Sequence, residues 1–264
     1  MSKAYPSNFT RDQFDLLSDL LPPAKAGGRP RTVDLYAVIN GLLYVLVEGI
    51  RWRALPGDLP PWQTVYTDFR NWRKDGTWQR IHDRLREWYR IEQGRQKSSS
   101  EAVIDSQSVK SAAGVNDAVG YDAGKQIKGR KRFLAVETLG LVMTVFVTAA
   151  STPERDGAKT LLSRVNALPS PSIRRLVTIW ADDGFSGDTF LRWVMDTCRW
   201  SVQVVLRPQQ TKGFQVLKKR WVVERTLGWL MHCRRLVRDY EQLPETSETF
   251  IYLAMIRIMV RRLA

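Results

Sequence analysis

The sequence predicts an α/β fold in two parts: an all-α, helix-turn-helix-like segment over residues 1–97, then a mixed β-sheet flanked by helices over 98–264. Three observations predict it. The first part carries apolar residues at helical spacing, punctuated by Pro and Gly. Beyond residue 100 short runs rich in Val, Ile, Thr and Phe alternate with helical stretches. Between the two lies GRQKSSS (94–100), with the small, polar composition of a linker.

Each element has a local reason. Thr10 and Gln13 form a capping-box pattern, Phe9 and Phe14 sit at staple positions, and Pro22-Pro23 ends a helix over 9–21. A basic turn, KAGGRPR (25–31), precedes an apolar helix from about Thr32 to Glu48, closed by Gly49. The Pro-rich RWRALPGDLPPW (51–62) leads to a short helix with Arg70, Arg73 and Lys74 on one side and Val65, Phe69 and Trp72 on the other. Thr77 is placed to cap a further helix that Gly94 ends. In the second part, AVIDSQSV (102–109) reads as a strand, and 132–150 as a hairpin about a Leu-Gly turn. Helix 154–168, strand 175–182, helix 186–198, strand 200–208, a long helix 216–238 and a final helix 246–263 follow. The count is about five strands.

Charge narrows the partner. The chain has 41 Lys+Arg against 27 Asp+Glu, a net +14. Residues 1–97 hold 16 basic and 11 acidic side chains and the rest 25 and 16, so both parts are basic. Closely spaced phosphates reward many Lys and Arg contacts through counterion release, so an anionic polymer is the expected partner and nucleic acid would touch both parts. Cys198 and Cys233 form no CxxC pair, which argues against a zinc site or a disulfide framework and fits a reducing cytoplasm. The start, MSKAYPSNFT, lacks the apolar core of a signal peptide, and the longest apolar runs are too short or interrupted to span a bilayer. A soluble cytoplasmic protein is expected.

Three acids fall where chemistry gathers in α/β sheets, at strand ends and the loops after them. Asp105 lies in IDSQSVK, Asp182 closes a strand in WADDGFSG, and Glu224 stands in RWVVERTLGWL. Between Asp196 and Asp239 that glutamate is the one acid among ten Lys and Arg. Phosphodiester chemistry uses hard cations, which take oxygen ligands, so a few converging carboxylates suffice. His82 and His232 are the only histidines, which disfavours a histidine-based nuclease. The residues alone leave Glu224 open: ligand, or a helix-surface ion pair with Arg220 four residues earlier. They also leave Asp182 and Asp183 undistinguished.

In order, YPSNFTRDQFDLL, GGRPRTVDLYAVINGLLYVL, RWRALPGDLPPWQTVY, IDSQSVK, GYDAGKQIKGRKRF, WADDGFSG, RWVVERTLGWL and YLAMIRIMVRRLA are spread over nearly the whole chain. Together they resemble a DDE transposase of bacterial insertion sequences, most closely the insertion-sequence-5 family. The resemblance implies a ribonuclease-H-like catalytic domain behind a DNA-binding domain, with Asp105, Asp182 and Glu224 as catalytic and metal-binding acids for two Mg2+ (or Mn2+) ions. The A-D-x-G-F register selects Asp182 over Asp183. The implied partner is double-stranded DNA, as terminal inverted repeats and target, bound by a homodimer or larger assembly in the bacterial cytoplasm near the nucleoid. One departure stands out. Arg220 fits the arginine that often accompanies the glutamate, but Leu217 and Met231 fill the tyrosine and lysine positions, so Arg234 or Arg235 is expected to take over phosphate contact.

The other expected DNA contacts follow from the basic segments. Arg29, Arg31, Arg51, Arg53, Arg70, Arg73 and Lys74 are candidates for the inverted repeat. GYDAGKQIKGRKRF (120–133) reads as a phosphate-contacting loop near the acids, carrying Lys125, Lys128, Arg130, Lys131 and Arg132.

Overall fold

The computed structural model describes residues 4–23, 32–205 and 219–264. Helix α1 (Arg11–Ser18) starts at Thr10, whose hydroxyl accepts from the Gln13 N–H while the Gln13 side chain accepts from the Thr10 N–H, completing the expected capping box. Helix α2 (Leu35–Glu48) begins three residues later than expected because the Asp34 carboxylate caps it, and Gly49 ends it at φ 70°. Helix α3 (Trp62–Lys74) buries Val65, Phe69 and Trp72 as its spacing requires. Helix α4 (Thr77–Glu92) takes Thr77 as its first residue, with Gly76 in the left-handed cap position and the Asp75 carboxylate accepting from the Thr77 N–H.

The sheet has six strands among the described residues, one more than expected. They are β1 (Glu101–Lys110), β2 (Gly120–Asp122), β3 (Ile127–Glu137), β4 (Val142–Ala149), β5 (Thr178–Ala181) and β6 (Ser201–Val204). β1 lies antiparallel to β3 and parallel to β5, β5 is parallel to β6, and β3 carries both β4 and β2 on its far side. The extra strand comes from the segment expected to be a loop. Residues 120–133 form a β-hairpin, Gly120–Asp122 against Ile127–Gly129. Gly129 is needed there: a Cβ would stand 2.0 Å from the Val109 carbonyl of β1.

Side-chain alternation gives the sheet two buried faces. Ala102 and Ile104 of β1 pack with Ala158, Leu161 and Leu162 of α5 (Glu154–Asn166) and Phe190 and Val194 of α7 (Asp188–Cys198). A short helix α6 (Ser170–Ile173) sits between α5 and β5. Val103, Leu134, Val136 and Val145 face the other way, into a core shared with α1–α4, with α8 (Arg220–Met231) and with α10 (Pro244–Leu263). That core crosses the 97/98 position. Arg90 of α4 donates to the buried Glu137 carboxylate of β3, and α10 packs along α4.

The long helix expected over 216–238 is interrupted. Residues 216–218 lie outside the described part, α8 ends at Met231, and Cys233 is extended (φ −93°, ψ 108°) before a single turn, α9 (Arg234–Val237). The break buries Cys233 and Leu236 and brings Arg235 to the Glu241 carboxylate at 2.6 Å and the Ile50 carbonyl at 2.8 Å. No described helix is long and apolar enough to cross a membrane.

Candidate active site

The register of β1 and β5 brings two of the acids level. Val103 pairs with Trp180, so Asp105 and Asp182 each stand two residues beyond the same rung. Alternation puts Asp105 on the face of Val103, the face α8 covers with Val223 and Leu230. Asp105 is partly exposed, and its Oδ1 accepts from the Ser106 N–H at 2.7 Å. Asp182 follows β5 and caps a tight turn over Asp183–Phe185, its Oδ1 accepting from the Gly184 N–H at 3.1 Å while Phe185 is buried. Asp183 is exposed.

Helix α8 supplies the third acid and a cation. Arg220 and Glu224 are four residues apart and share a helix face. The Arg220 guanidinium lies 3.6 Å from Asp182 Oδ2 and 3.9 Å from Glu224 Oε1. The ion pair that the sequence offered for Glu224 is formed, and its Arg220 stands at Asp182 as well. Burial, with the charge of Asp182 in support, pushes the Asp105 carboxyl up to about 6; the Ser106 N–H, Arg220 and Lys125 act against it. Lys125 arrives from the turn between β2 and β3, where its Nζ donates to the Ser106 carbonyl at 3.3 Å.

The donor set suits a hard divalent cation, because all three groups are carboxylates. Such a cation beside Asp105 and Asp182 would offset the repulsion that raises Asp105. Among the described residues no three acids, His or Cys are gathered closely enough to hold one ion. The residues fit the metal in kind and in neighbourhood, and drawing all three onto it requires Arg220 to yield its place.

The expected DNA contacts divide. Arg130, Lys131 and Arg132 do not project from a loop; they lie in β3 and are buried, which corrects that expectation. Arg130 pairs with Asp239 at 3.1 Å and donates to the Asp117, Glu241 and Gln242 carbonyls. Arg132 donates to the Leu236 carbonyl, and Lys131 bonds Glu154 at 3.1 Å. Arg235 is likewise enclosed against Glu241, whereas Arg234 stays exposed. Lys125 and Lys128 are exposed on the hairpin. Met231, at the expected lysine position, touches Gln107 through its sulfur (3.9 Å).

On the helical part, Arg51, Arg53, Arg70 and Lys74 are exposed, and Arg53 lies over the Trp62 ring at 5.4 Å. Arg70 and Arg73 line a groove of about 250 Å³ with Trp62, Tyr66 and Tyr240. Arg29, Arg31 and Leu217 lie outside the described residues. Sequence reading passed over Asp122, which anchors the hairpin: burial raises it, but hydrogen bonds from the Ser108 hydroxyl and the Lys125 N–H and the charge of Lys131 hold it below the usual range. The available signal was a lone acid at the head of a basic run.

Asp105 on a strand, Asp182 in the loop after its parallel neighbour and Glu224 on a helix over the sheet follow the Asp, Asp, Glu order of the DDE class that the sequence resembles. Comparison with known proteins assigns the chain to that class. Residues 96–259 match the family described as "Transposase DDE domain", and residues 9–82 match "Putative transposase of IS4/5 family". The chain belongs to the DDE transposases of insertion sequences. Two relatives come from Burkholderia cepacia. One, "Insertion element IS402 uncharacterized 16.2 kDa protein", is 33% identical over 115 residues, 40% of this chain and 75% of the relative. The other, "Putative transposase for insertion sequence element IS402", is 27% identical over 132 residues, 47% of this chain and 60% of the relative.

Proposed function

We propose that the chain binds the terminal inverted repeats of an insertion sequence, cleaves DNA strands there in a metal-dependent reaction and joins the freed 3′ ends to target DNA. The observation that carries the reading is Arg220, paired with both Asp182 and Glu224 and acting by its charge on Asp105. The strand order β4-β3-β1-β5-β6, with helices between β4, β5 and β6, is read as a ribonuclease-H-like sheet.

Asp105, Asp182 and Glu224 would hold Mg2+ or Mn2+. Two such ions, when bound, would activate the attacking oxygen, first of water and then of the 3′-OH, and stabilise the leaving oxygen. Asp182 is oriented for this by the Gly184 N–H, and Asp105 by the Ser106 N–H. Lys125, next to Ser106, is placed to neutralise a phosphate of the strand being cut. Arg220 would turn from the acids to that phosphate. Arg51, Arg53, Arg70, Arg73 and Lys74 would grip the repeat, with Arg234 as a further phosphate contact. Synapsis of two ends calls for a homodimer or larger assembly on DNA.

The test uses purified protein, labelled end DNA and Mg2+. Asp105→Ala, Asp182→Ala and Glu224→Ala are expected to abolish cleavage while retaining DNA binding; normal cleavage by any of them removes that residue from the site. A target plasmid then separates strand transfer from cutting alone.

A further inference from the structure

Beyond the acids, β1 runs on to Lys110 and borders a groove of about 720 Å³ that the proposed chemistry does not use. Its walls are the end of β1 with the loop that follows it, the β2–β3 hairpin and Arg238. Lys110, Lys128 and Arg238 are exposed cations on this lining, and no carboxylate is among the described residues that line it. Tyr121 of β2 also lines the groove and is 55% exposed, an unusual position for a ring that packing could have covered.

The walls are tied together rather than loosely apposed. Asp239 donates its N–H to the Lys110 carbonyl at 2.9 Å and accepts from the Ala112 N–H at 2.7 Å. Arg238 donates to the Ser111 carbonyl at 3.0 Å, and Gln242 to the Gly114 carbonyl at 3.1 Å. The hairpin wall continues into the candidate active site, since Lys125 reaches Ser106 and Asp122 accepts from Ser108.

We propose that this groove holds one unpaired strand of the end DNA, with its phosphates on Lys110, Lys128 and Arg238 and a base stacked on Tyr121. The proposal rests on the reading of the chain as a transposase. Cations that track a backbone beside an exposed aromatic ring are the arrangement that binds single strands without reading sequence. Asp105 and Lys110 are five residues apart, about 17 Å of strand or about five stacked nucleotides, so the captured base lies about that far from the cut.

The experiment measures binding of fluorescein-labelled oligo(dT) and of a duplex of equal length to the full chain without divalent ions. Tyr121→Ala is expected to weaken oligo(dT) binding roughly 5- to 100-fold, the range of one lost base stack, and to leave duplex binding unchanged. Tyr121→Phe should bind as the parent does, and Tyr121→Leu should not. A Lys110→Gln, Lys128→Gln double variant should lower the salt dependence of oligo(dT) binding by a slope of about 1.4. All three side chains changed are exposed, and circular dichroism checks that each variant is folded. Equal losses for strand and duplex, or none for either, overturn the inference. Absence of cleavage of end DNA by the unaltered protein defeats the transposase reading instead, and intact cleavage with silent groove variants defeats only the groove.

Discussion

Asp105→Asn is predicted to stabilise the metal-free protein at neutral pH while destroying its proposed chemistry. The amide keeps the volume and the oxygen that accepts the Ser106 N–H, and it removes the charge. In the folded chain the carboxyl is pushed from 3.8 to about 6, chiefly by burial and then by Asp182. A folded value above the unfolded one means the favourable contribution is complete below about pH 4 and is lost as pH rises through about 6. Two units at about 1.4 kcal/mol each set an upper limit near 3 kcal/mol, and partial exposure of Asp105 reduces it to about 1–2 kcal/mol. Urea unfolding of both proteins at pH 5, 6, 7 and 8 in chelator measures it. The Asn variant should gain about 1–2 kcal/mol at pH 8 and about half of that at pH 5. A variant equally or less stable at pH 8, or a gap that ignores pH, would refute the reasoning.

Other expectations are as direct. Arg220→Gln removes two partly exposed ion pairs worth about 0.2–1 kcal/mol each, so Mn2+ binding followed by electron paramagnetic resonance should tighten about 2- to 30-fold; weaker binding would show that Arg220 organises the acids instead. Glu137→Gln leaves Arg90 buried with its charge uncompensated and should cost about 3–5 kcal/mol in denaturant titrations, a loss below 1 kcal/mol being incompatible with a buried pair. Burial holds the imidazole of His82 below its ordinary 6.5, against the pull of Asp83. Stability should therefore fall as pH drops below 6.5, and His82→Asn should flatten that slope while leaving the opposite one from Asp105.

Much of the molecule was legible because local rules held. Thr10 with Gln13, Gly49 at a left-handed turn and the stripe of Val65, Phe69 and Trp72 are decided by nearest neighbours, and the sequence displays them. Asp105 and Asp182 were legible as strand-end acids, but their levelness comes from the pairing of Val103 with Trp180, a contact between distant residues. GRKRF misled for a related reason. Three cations in a row read as a phosphate-contacting loop, yet alternation turns Arg130 and Arg132 toward Asp239, more than a hundred residues away, where the opposite charge makes burial tolerable. The interruption after Met231 is of the same kind, since what stops the helix is the distant carbonyl of Ile50 and the carboxylate of Glu241.

The core shared by α1–α4, the sheet and α10 has a consequence for how the chain comes into being. Helix α10 begins about 150 residues after α4 ends. During synthesis α2, α3 and α4 can pack on one another, as Trp72 and Phe69 do on Trp78, but the face they turn to α10 stays uncovered until α10 has left the ribosome. A chain cut short before α10 leaves the α10 side of that core open to water.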